Sequence, residues 1–171
     1  MKDWLAAALI VLVLAFVWKG VGRLGGKDDV LDPEVITNPV YLEMRVNVEN
    51  ADRTLEVVVL IQAANDAECQ KYSPKALKMM GMEIEKANSP AVKLKSVACK
   101  AELSPSHARL FDNEPGLLTY VSAARGDRSG REIRWIMWGM SAEESEMVCG
   151  LVPQLQKNLR GKVTCIHALR S

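Results

Sequence analysis

The sequence predicts an α+β fold, in which an N-terminal transmembrane helix precedes a mostly antiparallel sheet with helices packed on one face. Three observations lead there. Residues Trp4 to Trp18 are a run of fifteen apolar positions with no charge. Beyond residue 39 the apolar residues alternate with polar ones or form short β-branched stretches, the pattern of strands. Capping residues and prolines between those stretches open segments of helical period. The resulting order is strand, strand, helix, strand, a short helical turn, then strand, strand, helix, strand.

The apolar block makes about 22 Å of helix at ~1.5 Å per residue, short of the ~30 Å hydrocarbon core. Extension to Leu24, with Lys19 and Arg23 snorkelling to the headgroups, reaches about 31 Å. Trp4 and Trp18 suit interfacial anchoring. Lys2 ahead of the block also fits a secretory signal, but the small-x-small triplet Gly20-Val21-Gly22 is a weak cleavage site. The expected division is therefore a membrane anchor (or uncleaved signal) over 1–24, a linker over 25–39 and a disulfide-stabilised α+β domain over 40–171. Gly25-Gly26, Asp28-Asp29 and two prolines mark the linker.

Orientation is contested by two signals. Lys2 lies before the block and Lys19, Arg23 and Lys27 after it, which by the positive-inside rule keeps the bulk in the cytoplasm. Cys69, Cys99, Cys149 and Cys165 argue the other way. Their number is even, they form no C-x-x-C and no histidine pair accompanies them, so two disulfides in an oxidising compartment are expected. The expected topology is N-terminus in the cytoplasm and domain on the periplasmic or other extracytoplasmic side.

Within the domain, Val40, Leu42, Met44, Val46 and Val48 alternate with polar residues, a strand with one wet face. Asn50-Ala51-Asp52-Arg53 supplies a turn, and Thr54 to Ala63, apolar on both faces, a more central strand. Ser73-Pro74 reads as the start of a helix that carries Leu77, Met80, Ile84 and Ala87 on one face. Val92 to Leu103 is a strand whose apolar phase shifts between Leu94 and Val97, which predicts a bulge. Ser104-Pro105 opens a helical turn through Phe111, with His107 expected in solvent. A second hairpin, Leu117 to Ala124 and Arg131 to Gly139, flanks the loop from Arg125 to Gly130. Ser141-Ala142-Glu143-Glu144 is a capping box. Pro153 should kink or end the helix it opens, and Val163 to Leu169 is the last strand.

The two halves thus share one order of elements, a ββαβ pseudo-repeat in which Val97-Ala98-Cys99 and Val163-Thr164-Cys165 share V-x-C. That symmetry favours the disulfides Cys69–Cys99 and Cys149–Cys165, each inside one half. The competing pairing, Cys99–Cys165 with Cys69–Cys149, requires the two cysteine strands to be neighbours.

Charge and motifs exclude more functions than they suggest. With 22 Lys+Arg against 21 Asp+Glu the chain is almost neutral, which does not suit a nucleic-acid binder. Two histidines do not make a multi-histidine metal site, and no phosphate-loop, zincin, nucleophile-elbow or EF-hand pattern occurs. No cofactor or metal is expected, and no small-molecule ligand is indicated. The best catalytic case is Cys165 with His167, two apart on a strand, with Cys149 nearby; no third orienting group marks it. Arg125, Arg128, Arg131 and Arg134 cluster at the second hairpin, where they could meet a partner. Trp135 and Trp138 lie on opposite faces of one strand, so one is core and Trp138 is a candidate interface anchor. The expectation is a single-pass protein, held in the membrane by residues 4–24. It presents a binding or scaffold domain to a protein partner as an accessory component of an envelope or membrane-associated assembly. The alternatives are an exported inhibitor or immunity-type protein, or an anchored Cys/His enzyme.

Overall fold

A computed structural model describes residues 36–50, 53–79, 88–89, 92–123, 131–156 and 162–169. Its elements are β1 (Val40–Asn50), β2 (Arg53–Ala63), α1 (Asp66–Met79), β3 (Asn88–Ser89), β4 (Val92–Lys100), α2 (Pro105–Ala108) running into a 3-10 turn (Arg109–Asp112), β5 (Tyr120–Ala123), β6 (Ile133–Trp138), α3 (Ala142–Gly150), α4 (Val152–Gln156) and β7 (Val163–Ile166). They form an α+β fold around one antiparallel sheet of order β3-β4-β1-β2-β6-β5-β7. The expected anchor over 1–24 and most of the expected linker lie outside the described residues. Among the described residues no helix is long and apolar enough to cross a membrane.

The strand order gives the two halves matching neighbour relations. In each half the first strand lies between the other two, as β4-β1-β2 and as β6-β5-β7, and the halves join through their second strands, β2 and β6. The cysteine of each third strand sits at the same place, Cys99 opposite Leu42 on β1 and Cys165 opposite Val121 on β5. Both expected disulfides are present, Cys69–Cys99 with Cα atoms 6.0 Å apart and Cys149–Cys165 with 5.4 Å. The competing pairing fails because β4 and β7 stand near opposite edges of the sheet.

The alternation of β1 sets the two faces. Leu42, Met44, Val46 and Val48 enter the larger core with Val57, Val59, Ile61, Trp135 and Met137, and α1 and α3 bring Cys69, Tyr72 and Val148 onto it. The opposite face carries a smaller core of Val58, Leu60, Tyr120 and Ile136, closed by Leu110 of the 3-10 turn. Helical cover therefore reaches both faces, whereas the sequence predicts it on one. The predicted bulge is there: Arg45 pairs with Ser96 and Val46 with Leu94, which leaves Lys95 as the extra residue.

Helix α1 starts at Asp66, seven residues before the expected Ser73. Asn65 is the cap, its Oδ1 accepting from the Glu68 amide at 2.9 Å. Pro74 falls inside the helix rather than opening it, and residues 80–87, with Met80, Ile84 and Ala87, lie outside the described residues. The second helix behaves as expected. Glu144 N donates to Ser141 Oγ at 3.3 Å and Ser141 N to Glu144 Oε2 at 2.8 Å, a complete capping box. The helix stops at Gly150, and a separate short helix containing Pro153 follows. Between β6 and this cap, Gly139 takes a φ of +84°, and a Cβ there would meet Leu55 Cδ2 at 3.3 Å.

Candidate functional site

Of the four arginines at the second hairpin, the two among the described residues, Arg131 and Arg134, are engaged inside the domain. Arg134 is wholly buried, on the face of β6 opposite Trp135. Its Nε donates to Leu110 O at 2.7 Å, its Nη2 to Phe111 O at 2.9 Å and its Nη1 to Ile133 O at 3.0 Å. Glu132 balances the charge at 2.6 Å, and the guanidinium carbon lies 4.5 Å from the Phe111 ring centroid. Arg134 thus ties the 3-10 turn to the sheet. Arg131 is also spent internally: its Nε and Nη2 meet the two oxygens of Glu68, each at 2.8 Å. Burial alone would raise the Glu68 carboxyl, but the hydrogen bonds from Arg131, Tyr72 and Ala64 outweigh it and hold it below its ordinary range. Neither arginine is available to a partner. Arg125 and Arg128 lie outside the described residues.

Trp138 does face solvent. It ends β6, 42% exposed, beside Leu117 at 93% and Leu169 at 61%. The chain between β5 and the 3-10 turn meets the chain after β7 here, where Leu169 N donates to Gly116 O at 2.8 Å. Two hollows flank the tryptophan. One, of about 400 Å³, lies towards α3 and is lined by Met137, Met140, Ser145, Glu146 and His167. The other, of about 330 Å³, lies towards α2 and is lined by His107, Leu110, Leu118 and Ile136. Leu117, Leu118, Trp138 and Leu169 border both. Scattered exposed leucines need no explanation, but several large apolar groups around a half-exposed tryptophan form the kind of contiguous patch that marks an interaction surface.

A polar cluster lies on the same face of the sheet, at the β1 end. Glu43, buried although it belongs to the polar phase of β1, accepts from Arg45 Nε at 2.8 Å and Lys100 Nζ at 2.9 Å. Burial would raise its carboxyl, but the hydrogen bonds and charges of Arg45 and Lys100 prevail and lower it. His107 is buried too, which corrects the expectation of a solvated helix start. Its Nδ1 lies 3.5 Å from Glu43 Oε2. Burial pushes the imidazole down; the Glu43 charge opposes this without cancelling it, so His107 holds its proton less readily than a free histidine. Sequence reasoning missed this cluster because nothing in the alternation of β1 says that a helical turn will cover its polar side.

The Cys–His constellation takes an unexpected form. Cys149 and Cys165 are bonded to each other, so neither is a thiol nucleophile in this state. His167 is exposed, its Nδ1 3.4 Å from Glu146 Oε1 one helical turn before Cys149. Its proximity to the disulfide was legible from the spacing Cys165-x-His167; the pairing with Glu146 was not. Comparison with protein-family models, with curated proteins and with solved structures found no match to this chain.

Proposed function

We propose that the chain is a single-pass membrane-anchored protein that holds a disulfide-braced α+β domain on the extracytoplasmic side. There it binds a protein partner as an accessory component of an envelope or membrane-associated assembly. The observation that carries the binding is the exposed apolar surface of Leu117, Trp138 and Leu169 between two hollows. Tryptophan at the centre of such a patch is the residue type that most often dominates an interface. With Arg131 and Arg134 engaged internally, the contact moves from the arginine loop to this end of the sheet. Two disulfides suit an oxidising compartment, and the tryptophan-flanked apolar block of residues 4–18 suits an anchor.

Binding is tested by placing a photo-crosslinking residue at position 138 of the full chain in its native cells, with a second at Glu102, exposed elsewhere. A discrete adduct from position 138, absent from position 102 and lost in Leu117→Glu, is the expected result. Equal labelling from both positions, or none from either, refutes the surface. Topology is tested separately by an alkaline phosphatase fusion after Ser171, which should be active; an inactive fusion with a fluorescent cytoplasmic reporter at the same point reverses it.

A further inference from the structure

We propose that reduction of the Cys149–Cys165 disulfide creates a binding site for a thiophilic divalent cation such as zinc, with Cys149, Cys165 and His167 as ligands and Glu146 orienting the imidazole. One sulfur from each cysteine and a ring nitrogen of His167 all lie within 4.8 Å of one another. Tetrahedral zinc, with Zn–S near 2.3 Å and Zn–N near 2.0–2.1 Å, needs donors about 3.5–3.8 Å apart. Side-chain rotation alone spans that difference. The Cα separation of 5.4 Å suits two thiolates on one ion as well as it suits a disulfide.

The two sulfur donors stand on regular elements. Cys149 is in the last turn of α3, and Glu146 lies three residues earlier on the same side of that helix. Cys165 is on β7, and His167 lies just past the strand's last residue, Ile166, close enough to bring its ring to the two sulfurs. Two thiolates and an imidazole form the mixed soft and borderline set that selects zinc over magnesium or calcium. The carboxylate 3.4 Å from His167 Nδ1 is the partner a metal-ligating histidine usually has, and it leaves Nε2 for the ion. A fourth position is open to water, because Glu146 and His167 line the hollow beside Trp138 and are themselves exposed. The Cys69–Cys99 disulfide, its topological twin, has no such company: among the described residues it belongs to no cluster of three possible ligands, and Cys69 is fully buried.

The chemistry closes. A dithiol attacks the disulfide and leaves as its own disulfide, delivering two electrons and two protons to Cys149 and Cys165. The cation then binds as the two thiol protons depart, so affinity rises with pH. Reoxidation by disulfide exchange expels the ion. The test uses the full chain, reduced anaerobically with a trialkylphosphine that is removed before cobalt(II) is added. Alkylation and mass spectrometry report which cysteines were opened. The expected result is one equivalent of cobalt, with the intense visible bands of a tetrahedral site and thiolate-to-metal charge transfer, displaced by zinc and absent from the oxidised protein. Glu146→Gln should weaken binding about 10–100-fold, and His167→Ala should weaken it further. Absent bands in the reduced protein, or equal affinity in His167→Ala and wild type, overturn the proposal. If reduction loosens the fold, near-ultraviolet circular dichroism must show zinc restoring it, since an ion that binds only the assembled site stabilises that state; a chain that stays unfolded in zinc also overturns it.

Discussion

Replacing Arg134 with Met should cost the domain about 3–5 kcal/mol. The guanidinium is wholly buried and holds Leu110 O at 2.7 Å, Phe111 O at 2.9 Å and Glu132 Oε2 at 2.6 Å while stacking on Phe111. Methionine fills much of the volume but donates nothing. Leu110 O keeps the Asn113 amide at 3.2 Å, so Phe111 O and the Glu132 carboxylate are the acceptors left short. Each such group costs ~1–3 kcal/mol, and the ring contact adds ~1–2 kcal/mol. Removing a buried charge returns part of its desolvation, which keeps the net within the ~3–5 kcal/mol found when one member of a buried pair is deleted. Urea titrations followed by far- and near-ultraviolet circular dichroism measure it directly, and Tm should fall by roughly 10 °C or more. Arg134→Lys should lose most of the same stability, because an ammonium cannot span three acceptors set for a planar fork. A Met variant within about 1 kcal/mol of wild type would refute the assignment of Arg134 as the tie between the 3-10 turn and the sheet.

Other outcomes follow from the same contacts. Paired Cys→Ala replacements should cost about 3 kcal/mol for Cys149–Cys165, separated by 16 residues, and slightly under 4 kcal/mol for Cys69–Cys99, separated by 30, by urea titration. Acid should destabilise the domain in two steps. His107 has its folded pKa depressed below 6.5, so stability present above that value is lost as pH falls from about 6.5 through the folded pKa. Glu43, depressed below 4.5, contributes stability above that value which is lost as pH falls through its own folded pKa. Urea midpoints from pH 7.5 to 3 should show both steps, and His107→Gln should abolish the upper one alone; an unchanged upper step would assign it to another group. Ser141→Ala should cost about 1 kcal/mol through the lost cap, read as a shifted urea midpoint with an unchanged slope.

Where the sequence was legible, the relevant physics was local. The alternation from Val40 to Val48 and the phase shift between Leu94 and Val97 fix the faces of β1 and the bulge of β4 without reference to anything distant. The reciprocal bonds of Ser141 and Glu144 span three residues and read as directly. At α1 two local signals competed. Ser73-Pro74 resembles a helix start, yet Asn65 and Glu68 have the spacing of a cap eight residues earlier, and the acidic first turn of Asp66 and Glu68 supports that start electrostatically. Burial of polar residues was not legible. Glu43, His107 and Arg134 occupy positions that strand period or turn chemistry assigns to a polar face, and they are buried because Pro105 to Asp112 folds back across that face. That cover is long-range packing, which a two-residue period cannot encode. Trp138 was found because its phase opposes Trp135; the leucines beside it come from chain segments twenty or more residues away, and no periodic pattern joins them.

The junction of the two halves has a consequence for how the chain matures. β2 and β6 meet over six residue pairs, from Glu56 with Trp138 to Ile61 with Ile133, whereas each disulfide closes within its own half. Oxidation of Cys69 with Cys99 can therefore finish before the second half is complete, and the first half has no need of a thiol made later. What it does need is cover for the free edge of β2, which until β6 arrives is a long apolar strand open to any other chain. Vectorial folding thus carries little risk of wrong sulfur pairing and most of its risk at one exposed strand, so a chaperone that protects edges would serve this protein better than an isomerase.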